Sequence, residues 1–316
     1  MAASEAAADP RADPGLVALG QALRAFGYRH TTVTPATHAR VNARPENARA
    51  RDVAGVFGWS RPFTRDTLPP ALFAAAEAAG VLQRDGGLWR STVRASTLSD
   101  ALFLHSAFPT TAADAVFFGP DTYRFAAALE RHLARSAPVR RAVDIGCGAG
   151  PGAILIARAR PEAQVLAVDI NESALRLAAS NATLASTPGV RTHRSDLLSG
   201  LDGSFDLIVA NPPYLLDAHE RTYRHGGGAL GEGLSLAIAG LAETRLAPGG
   251  SLLLYTGSAI LHGVDGFRAA LQRRIDASAL TWRYEELDPD VFGEELFEPV
   301  YADCDRIAAV LATATA

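Results

Sequence analysis

The stretch that most constrains the fold is VRRAVDIGCGAG, residues 139–150. A short apolar run ends in Asp144, and Gly146, Gly148 and Gly150 follow in the pattern D-x-G-x-G-x-G. Residues 152–160, GAILIARAR, then read as a helix. Strand, glycine turn and helix in that order make the βα unit that nucleotide-binding folds require. Glycine lets the backbone come close to a ligand, and the helix N-terminus favours polar or anionic groups. The next apolar run, QVLAVDI, ends at Asp169. A carboxylate at a strand end about 20 residues past the turn can accept hydrogen bonds from ribose hydroxyls. NAD-dependent dehydrogenases share these features, but no catalytic His/Arg or Lys/Tyr set follows in this chain.

A second motif narrows the reading. After the strand SFDLIVA the chain runs Asn211-Pro212-Pro213-Tyr214. That places the tetrapeptide at the carboxyl edge of a doubly wound sheet, where such folds bind ligands. With both motifs in order, residues 115–316 resemble the class I S-adenosylmethionine-dependent methyltransferases of the N-methylating group that carry NPPY. The resemblance implies an α/β fold, a Rossmann-like doubly wound sheet, with S-adenosyl-L-methionine as cofactor. It implies that Asp144 and the turn of Gly146, Cys147, Gly148 and Gly150 hold the methionine part. It assigns Asp169 to the ribose and Ile170 to the flank of the adenine. Asp196 would accept from the adenine amino group, with Leu197 packed nearby. Asn211 and the Pro212 carbonyl would accept from the target nitrogen, beside Pro213, and Tyr214 would stack on a planar target. Upstream, FFGPDTYRF (117–125) sits where the family closes the cofactor site, which singles out Phe118 and Thr122.

Elementary chemistry agrees with those roles. An amide or exocyclic amino nitrogen is a poor nucleophile because its lone pair is delocalised. Two fixed acceptors can hold both of its N–H groups, favour tetrahedral nitrogen and aim the lone pair at a methyl group. The prolines stiffen the loop. Positioning and local electrostatics then suffice, with neither a metal nor a covalent nucleophile. Cys147 reads as a small filler in the turn. The histidines show no HxxxH or HExxH spacing.

Composition bears on the remainder. The 316 residues are 48% hydrophobic and carry net charge −4, which suits a globular chain and excludes disorder. Two cysteines exclude a disulfide framework and a four-cysteine metal site, and suit a cytoplasmic setting. No apolar run reaches 18 residues, and the N-terminus lacks the apolar stretch of a signal peptide. All 30 basic residues are Arg, so no mechanism can use a lysine. Residues 1–14 are expected as a disordered tail. Residues 15–110 hold helical patterns at 15–27, 46–58 and 69–80 and a hairpin signal at Asp85-Gly86-Gly87, a winged-helix-like substrate-recognition domain. Residues 111–316 form the methyltransferase domain. Residues 1–110 carry 12 Arg against 9 acids, while residues 111–316 carry 18 against 25.

The acceptor is expected to be a macromolecule, protein or RNA. Among NPPY enzymes the layout is most similar to protein-(glutamine-N5) methyltransferases acting on release factors. Their N-terminal domain is a helical bundle, and a later strand usually carries Glu where this chain has Tyr255. Nucleic-acid guanine-N2 or adenine-N6 methylation and natural-product N-methylation stay open, as does a cofactor-binding scaffold. His225 with Gly226-Gly227-Gly228 reads as a surface loop or one that closes over substrate. The acidic stretch 288–299 reads as solvated or as a lure for a basic partner.

Overall fold

The computed structural model describes residue 9 and residues 11–216, 224–276 and 278–316. The N-terminal part comprises α1 (Pro14–Ala25), α2 (Pro35–Asn42), α3 (Val53–Phe57) and α4 (Pro70–Ala78), followed by strands β1 (Leu82–Asp85), β2 (Leu88–Ser91), β3 (Val93–Leu98) and β4 (Ala101–Ser106). The remainder runs α5 (Pro120–Leu133), β5 (Arg141–Ile145), α6 (Pro151–Ala159), β6 (Gln164–Asp169), α7 (Glu172–Leu184), β7 (Val190–Arg194), β8 (Phe205–Ala210), α8 (Gly233–Arg245), β9 (Leu246–Leu261), β10 (Val264–Asp265), α9 (Gly266–Ile275), β11 (Thr281–Asp288) and β12 (Cys304–Thr315).

The sheet order is β11-β12-β9-β8-β5-β6-β7, with β10 added to β9. Strands β5 to β9 pair in parallel, while β12 pairs antiparallel with both β9 and β11. This is the mixed, parallel-rich α/β sheet that the two motifs predict. Residues alternate between faces along each strand. Val143, Ile208 and Leu252 face one apolar layer with α8 and α9. Ala142, Leu207 and Leu253 face the other, with α5, α6 and α7.

Residues 15–110 share that second layer: Leu19, Phe73 and Leu104 belong to one continuous core with Leu184 of α7. Asn181 joins the two parts directly. Its amide accepts from Leu104 N at 2.8 Å and donates to Leu104 O at 2.9 Å, as a neighbouring strand would. The hairpin at Gly86-Gly87 forms, both residues having positive φ. A second hairpin joins β3 to β4 through Ser99-Asp100, also at positive φ and without glycine. Residues 46–58 are not one helix. A short 3-10 turn (Pro45–Asn47) precedes α3, which Asp52 caps by accepting from Gly55 N.

The expected tail needs correction where it is described. Asp9 is buried and accepts from Thr192 N and Thr192 Oγ1. Asp13 caps α1, accepting from Gly15 N at 2.8 Å, and its own N–H donates to Ser180 Oγ. The Asp9 carboxylate and the Asp13 backbone meet buried partners, Thr192 and Ser180, and order a segment whose polar composition suggests disorder. Residues 1–8 and 10 lie outside the described residues. Among the described residues no helix is long and apolar enough to cross a membrane.

Candidate functional site

The site lies at the carboxyl ends of β5, β6 and β8. Gly146, Gly148 and Gly150 all have positive φ, from +52° to +85°, where a side chain is strained. No atom lies within 4 Å of a Cβ placed on Gly146, so its backbone borders open space. Behind this turn, Asp144 is 2% exposed, and its Oδ2 accepts from Ala153 N at 2.9 Å. A Cβ on Gly152 would come within 2.7 Å of that oxygen, so the glycine admits the carboxylate to the start of α6. Burial pushes the Asp144 carboxyl up to about 7, against the pull of these amides.

Asp169 closes β6 and faces the cleft. Its Oδ2 accepts from Gly148 N and its Oδ1 from Asn171 N, each at 3.0 Å. Burial raises its carboxyl, with the backbone donors opposing. Ile170 beside it is 49% exposed, a large apolar side chain presented to the cleft.

A single cavity of about 210 Å³ gathers most of the expected residues. Gly146, Gly148, Asp169, Ile170, Asp196, Leu197 and the whole of Asn211-Pro212-Pro213-Tyr214 line it. Asp144, Cys147 and Gly150 do not line it. Cys147 is buried, and burial raises its thiol well above the ordinary value, as befits a filler. Thr122 lines the cavity and accepts from Gly119 N through Oγ1 at 3.3 Å. Phe118 instead belongs to the core, stacked on His105 at 4.9 Å. Its neighbour Phe117 takes the wall position.

Backbone contacts help to hold the NPPY loop. Gly226 N donates to Leu215 O at 2.8 Å. A Cβ on Gly226 would overlap Gly231 O and approach Pro213 O to 2.7 Å, while one on Gly231 would overlap Tyr214 O. Within the His225–Gly228 segment, Gly226 and Gly228 thus serve close approach to backbone, whereas nothing lies within 4 Å of a Cβ placed on Gly227. Residues 217–223 lie outside the described residues. The Tyr214 ring is buried over Gly257, with Tyr255 at 6.4 Å and Phe292 at 6.0 Å. Burial and the Asp121 carboxylate hold its phenol far above the usual range. Most of the ring is thereby occupied by the protein rather than offered to a target. On the Asn211 side chain and the Pro212 carbonyl, no hydrogen bond forms among the described residues.

Sequence reasoning missed the walls that arrive from afar. Pro35 of α2, Asp121 of α5, Arg224 and Phe292 all line the cavity. The acidic stretch 288–299 is partly internal: Asp288 pairs with Arg124 at 2.7 Å, and buried Glu295 pairs with Arg224. Tyr301 Oη accepts from Leu216 N at 2.8 Å and adds to this brace. Among the described residues no group of three or more His, Cys, Asp or Glu could hold a metal.

Residues 112–260 match the family model described as methyltransferase small domain. The release factor glutamine methyltransferase of Deinococcus radiodurans is 39% identical over 124 residues, 36% of this chain and 44% of that protein. The ribosomal protein uL3 glutamine methyltransferase of Neisseria meningitidis is 36% identical over 144 residues, 42% of this chain and 46% of that protein. The 4-amino-L-phenylalanine/4-methylamino-L-phenylalanine methyltransferase of Streptomyces pristinaespiralis is 32% identical over 163 residues, 48% of this chain and 56% of that protein. The chain spans about half the length of these curated relatives. The cofactor expected from the two sequence motifs is S-adenosylmethionine. The cleft fits it: open backbone at Gly146, a carboxylate at Asp169 with lone pairs to spare, and an exposed apolar face at Ile170.

Proposed function

We propose that this chain is an S-adenosylmethionine-dependent methyltransferase acting on the carboxamide nitrogen of a protein glutamine. The reading rests on one observation: the Asn211 side chain and the Pro212 carbonyl are open acceptors on the wall that also carries Asp169 and Gly146. The names of the relatives that match residues of this domain favour the same acceptor class.

The bound cofactor supplies an electrophilic methyl group. The residues of the chain do the rest. Asp169 and the glycine turn fix the ribose and methionine portions, while Ile170, Asp196 and Leu197 border the adenine. Asn211 Oδ1 accepts one amide N–H and the Pro212 carbonyl accepts the other. With both protons held, rotation stops and the nitrogen lone pair turns out of conjugation toward the methyl. Such positioning is worth most as the nitrogen becomes tetrahedral. Neither oxygen is a base, so the surplus proton passes to water.

The N-terminal unit, residues 15–110, acts in recognition, since Pro35 brings it to the cleft wall of residues 111–316. A translation-linked acceptor would place the chain in the cytoplasm. A second reading, methylation of a small arylamine, is favoured by the apolar walls Pro35, Phe117 and Phe292 and by the Streptomyces relative. Tritiated cofactor offered with purified release factor, ribosomal protein uL3 or 4-amino-L-phenylalanine separates the two. Label on a protein glutamine supports the proposal. Label on the amino acid alone overturns it, and absent cofactor binding in calorimetry overturns both.

A further inference from the structure

A groove lies at the opposite edge of the sheet from the cleft. The cleft occupies the strand ends after Ile145 and Ala210, whereas the groove is lined by Arg140 and Asp206, just before or within the starts of β5 and β8. Its floor is one face of three strands: Ser251 and Leu253 of β9, Thr313 and Thr315 of β12, and Arg283 and Glu285 of β11. The register sets them side by side, Ser251 opposite Thr315, Leu253 opposite Thr313, and Arg283 opposite Thr313. Helix α5 ends with Ala134 as its cap, so it covers Leu253 but leaves the hydroxyl-bearing ends bare. The last turn of α5 and the segment that follows form the wall, with Arg131, His132, Arg135 and Arg140.

The charges here do not cancel. Arg131, Arg135 and Arg140 are exposed, and none makes a side-chain hydrogen bond or ion pair among the described residues. His132 Nε2 is buried and has no hydrogen-bond partner. The two acids of the lining are engaged. Asp206 Oδ2 accepts from Arg140 N and Arg141 N, and Glu285 pairs with Arg283 at 3.6 Å. In a chain of net charge −4, this is a concentrated cationic surface over free hydroxyls. Arg131 lies in the last turn of α5 and Arg135 in the turn just beyond its cap, Ala134, so both stand at the same end of the groove wall. A helix C-terminus favours cations, which accounts for Arg131 in the last turn of α5. It does not account for Arg140, or for hydroxyls left bare on the facing strands.

We propose that this groove binds the phosphate backbone of single-stranded RNA. Guanidinium groups take phosphate oxygens in bidentate fashion, and the strand hydroxyls complete the contacts. The lining offers no Phe, Tyr or Trp ring on which bases could stack, so the binding is to the backbone and indifferent to base sequence.

The test is fluorescence anisotropy of a labelled single-stranded RNA oligomer against the full chain and its R131E/R135E/R140E variant, over a salt series. Circular dichroism checks the fold, and the neutral pair R131Q/R135Q serves if the triple variant fails to fold. The wild-type chain should bind, and the triple variant should bind at least tenfold more weakly. At about 0.7 per phosphate contact in single strands, losing three arginines should flatten the log–log salt slope by about 2. Equal affinity in wild type and variants overturns the proposal. So does binding of inorganic tripolyphosphate or of anionic lipid vesicles without binding of RNA. The measurement needs no methyl transfer, so its failure is distinct from that of the glutamine reading.

Discussion

Tyr255 Oη donates to Asp121 Oδ1 at 2.7 Å, both residues buried behind the NPPY loop. Burial pushes the Asp121 carboxyl up, and the Tyr255 hydroxyl and Arg124 pull it back. Tyr255 stands in the middle of the sheet and Asp121 in the first turn of α5, so the bond ties the segment lining the cofactor cleft to β9. Tyr255→Phe keeps the ring and removes the donor. Leaving a buried carboxylate short of a partner should cost about 1–3 kcal/mol. Urea unfolding of the variant at neutral pH measures it, and unchanged stability would show the bond to be idle.

Asn211→Ala should lower kcat by about 10² to 10³ while leaving cofactor affinity nearly unchanged, by comparison with a lost oxyanion donor. Asn211→Asp keeps an acceptor oxygen and should be milder. Single-turnover methylation beside calorimetric cofactor titration reads both quantities. A variant retaining a third or more of wild-type kcat would point to an oxygen or carbon acceptor.

Asp169 has two tasks, since it holds Gly148 N and Asn171 N as well as facing the cleft. Asp169→Ala should weaken cofactor binding at least tenfold, the worth of one charge-assisted bond of about 1.5–3 kcal/mol. It should also lower thermal stability, because the turn loses its anchor. Calorimetry and a melting curve on the same sample distinguish the two effects.

Asp144 should make the fold less stable as pH rises. Its carboxyl titrates near 3.8 in the ordinary state and at about 7 in the fold. Between those values the native chain keeps a proton that the unfolded chain releases, so native stability falls with pH across that window and is flat above it. Asp144→Asn can still accept from Ala153 N but does not titrate. Its denaturant midpoint, followed from about pH 4 to about pH 8, should lose this component of the decline. Parallel curves for variant and wild type would reject the assignment.

Gly231 has φ +99° and no room for a Cβ beneath Tyr214 O. Gly231→Ala should cost about 1–3 kcal/mol in strain and displace the NPPY loop, so kcat falls more than cofactor affinity. Gly227→Ala, with open space around its Cβ but also positive φ, isolates the strain from the overlap. Equal kinetic losses in the two variants would mean that the close approach is unimportant.

What was legible in the sequence was local. The glycines at 146, 148 and 150 announce positive φ, and they sit where the pattern puts them. Asp169 and Asn211 follow strands whose apolar runs are unmistakable. The hairpin at Ser99-Asp100 was hidden because two non-glycine residues adopt positive φ there. Pro35 and Phe292 reach the same cavity from opposite ends of the chain, and no local pattern marks that meeting. Phe118 looked like a wall and its neighbour Phe117 is one, because their two side chains diverge by direction alone. The close union of the N-terminal unit with α7 was equally invisible, since the Asn181 amide that completes it sits in an ordinary helical stretch.

The place of β12 has a consequence for how the chain is made. It lies between β9 and β11, both of which leave the ribosome before it. Throughout synthesis β9 presents a long bare edge to anything nearby, and β11 has no strand to join. The brace of Asp288, Glu295 and Tyr301 against the cleft also comes from this late region. A nascent chain therefore carries a sticky, incomplete sheet until its last strand slides in, and unpaired edges of that kind invite association. Ribosome-bound chains stalled before residue 304 should be the ones that chaperones hold.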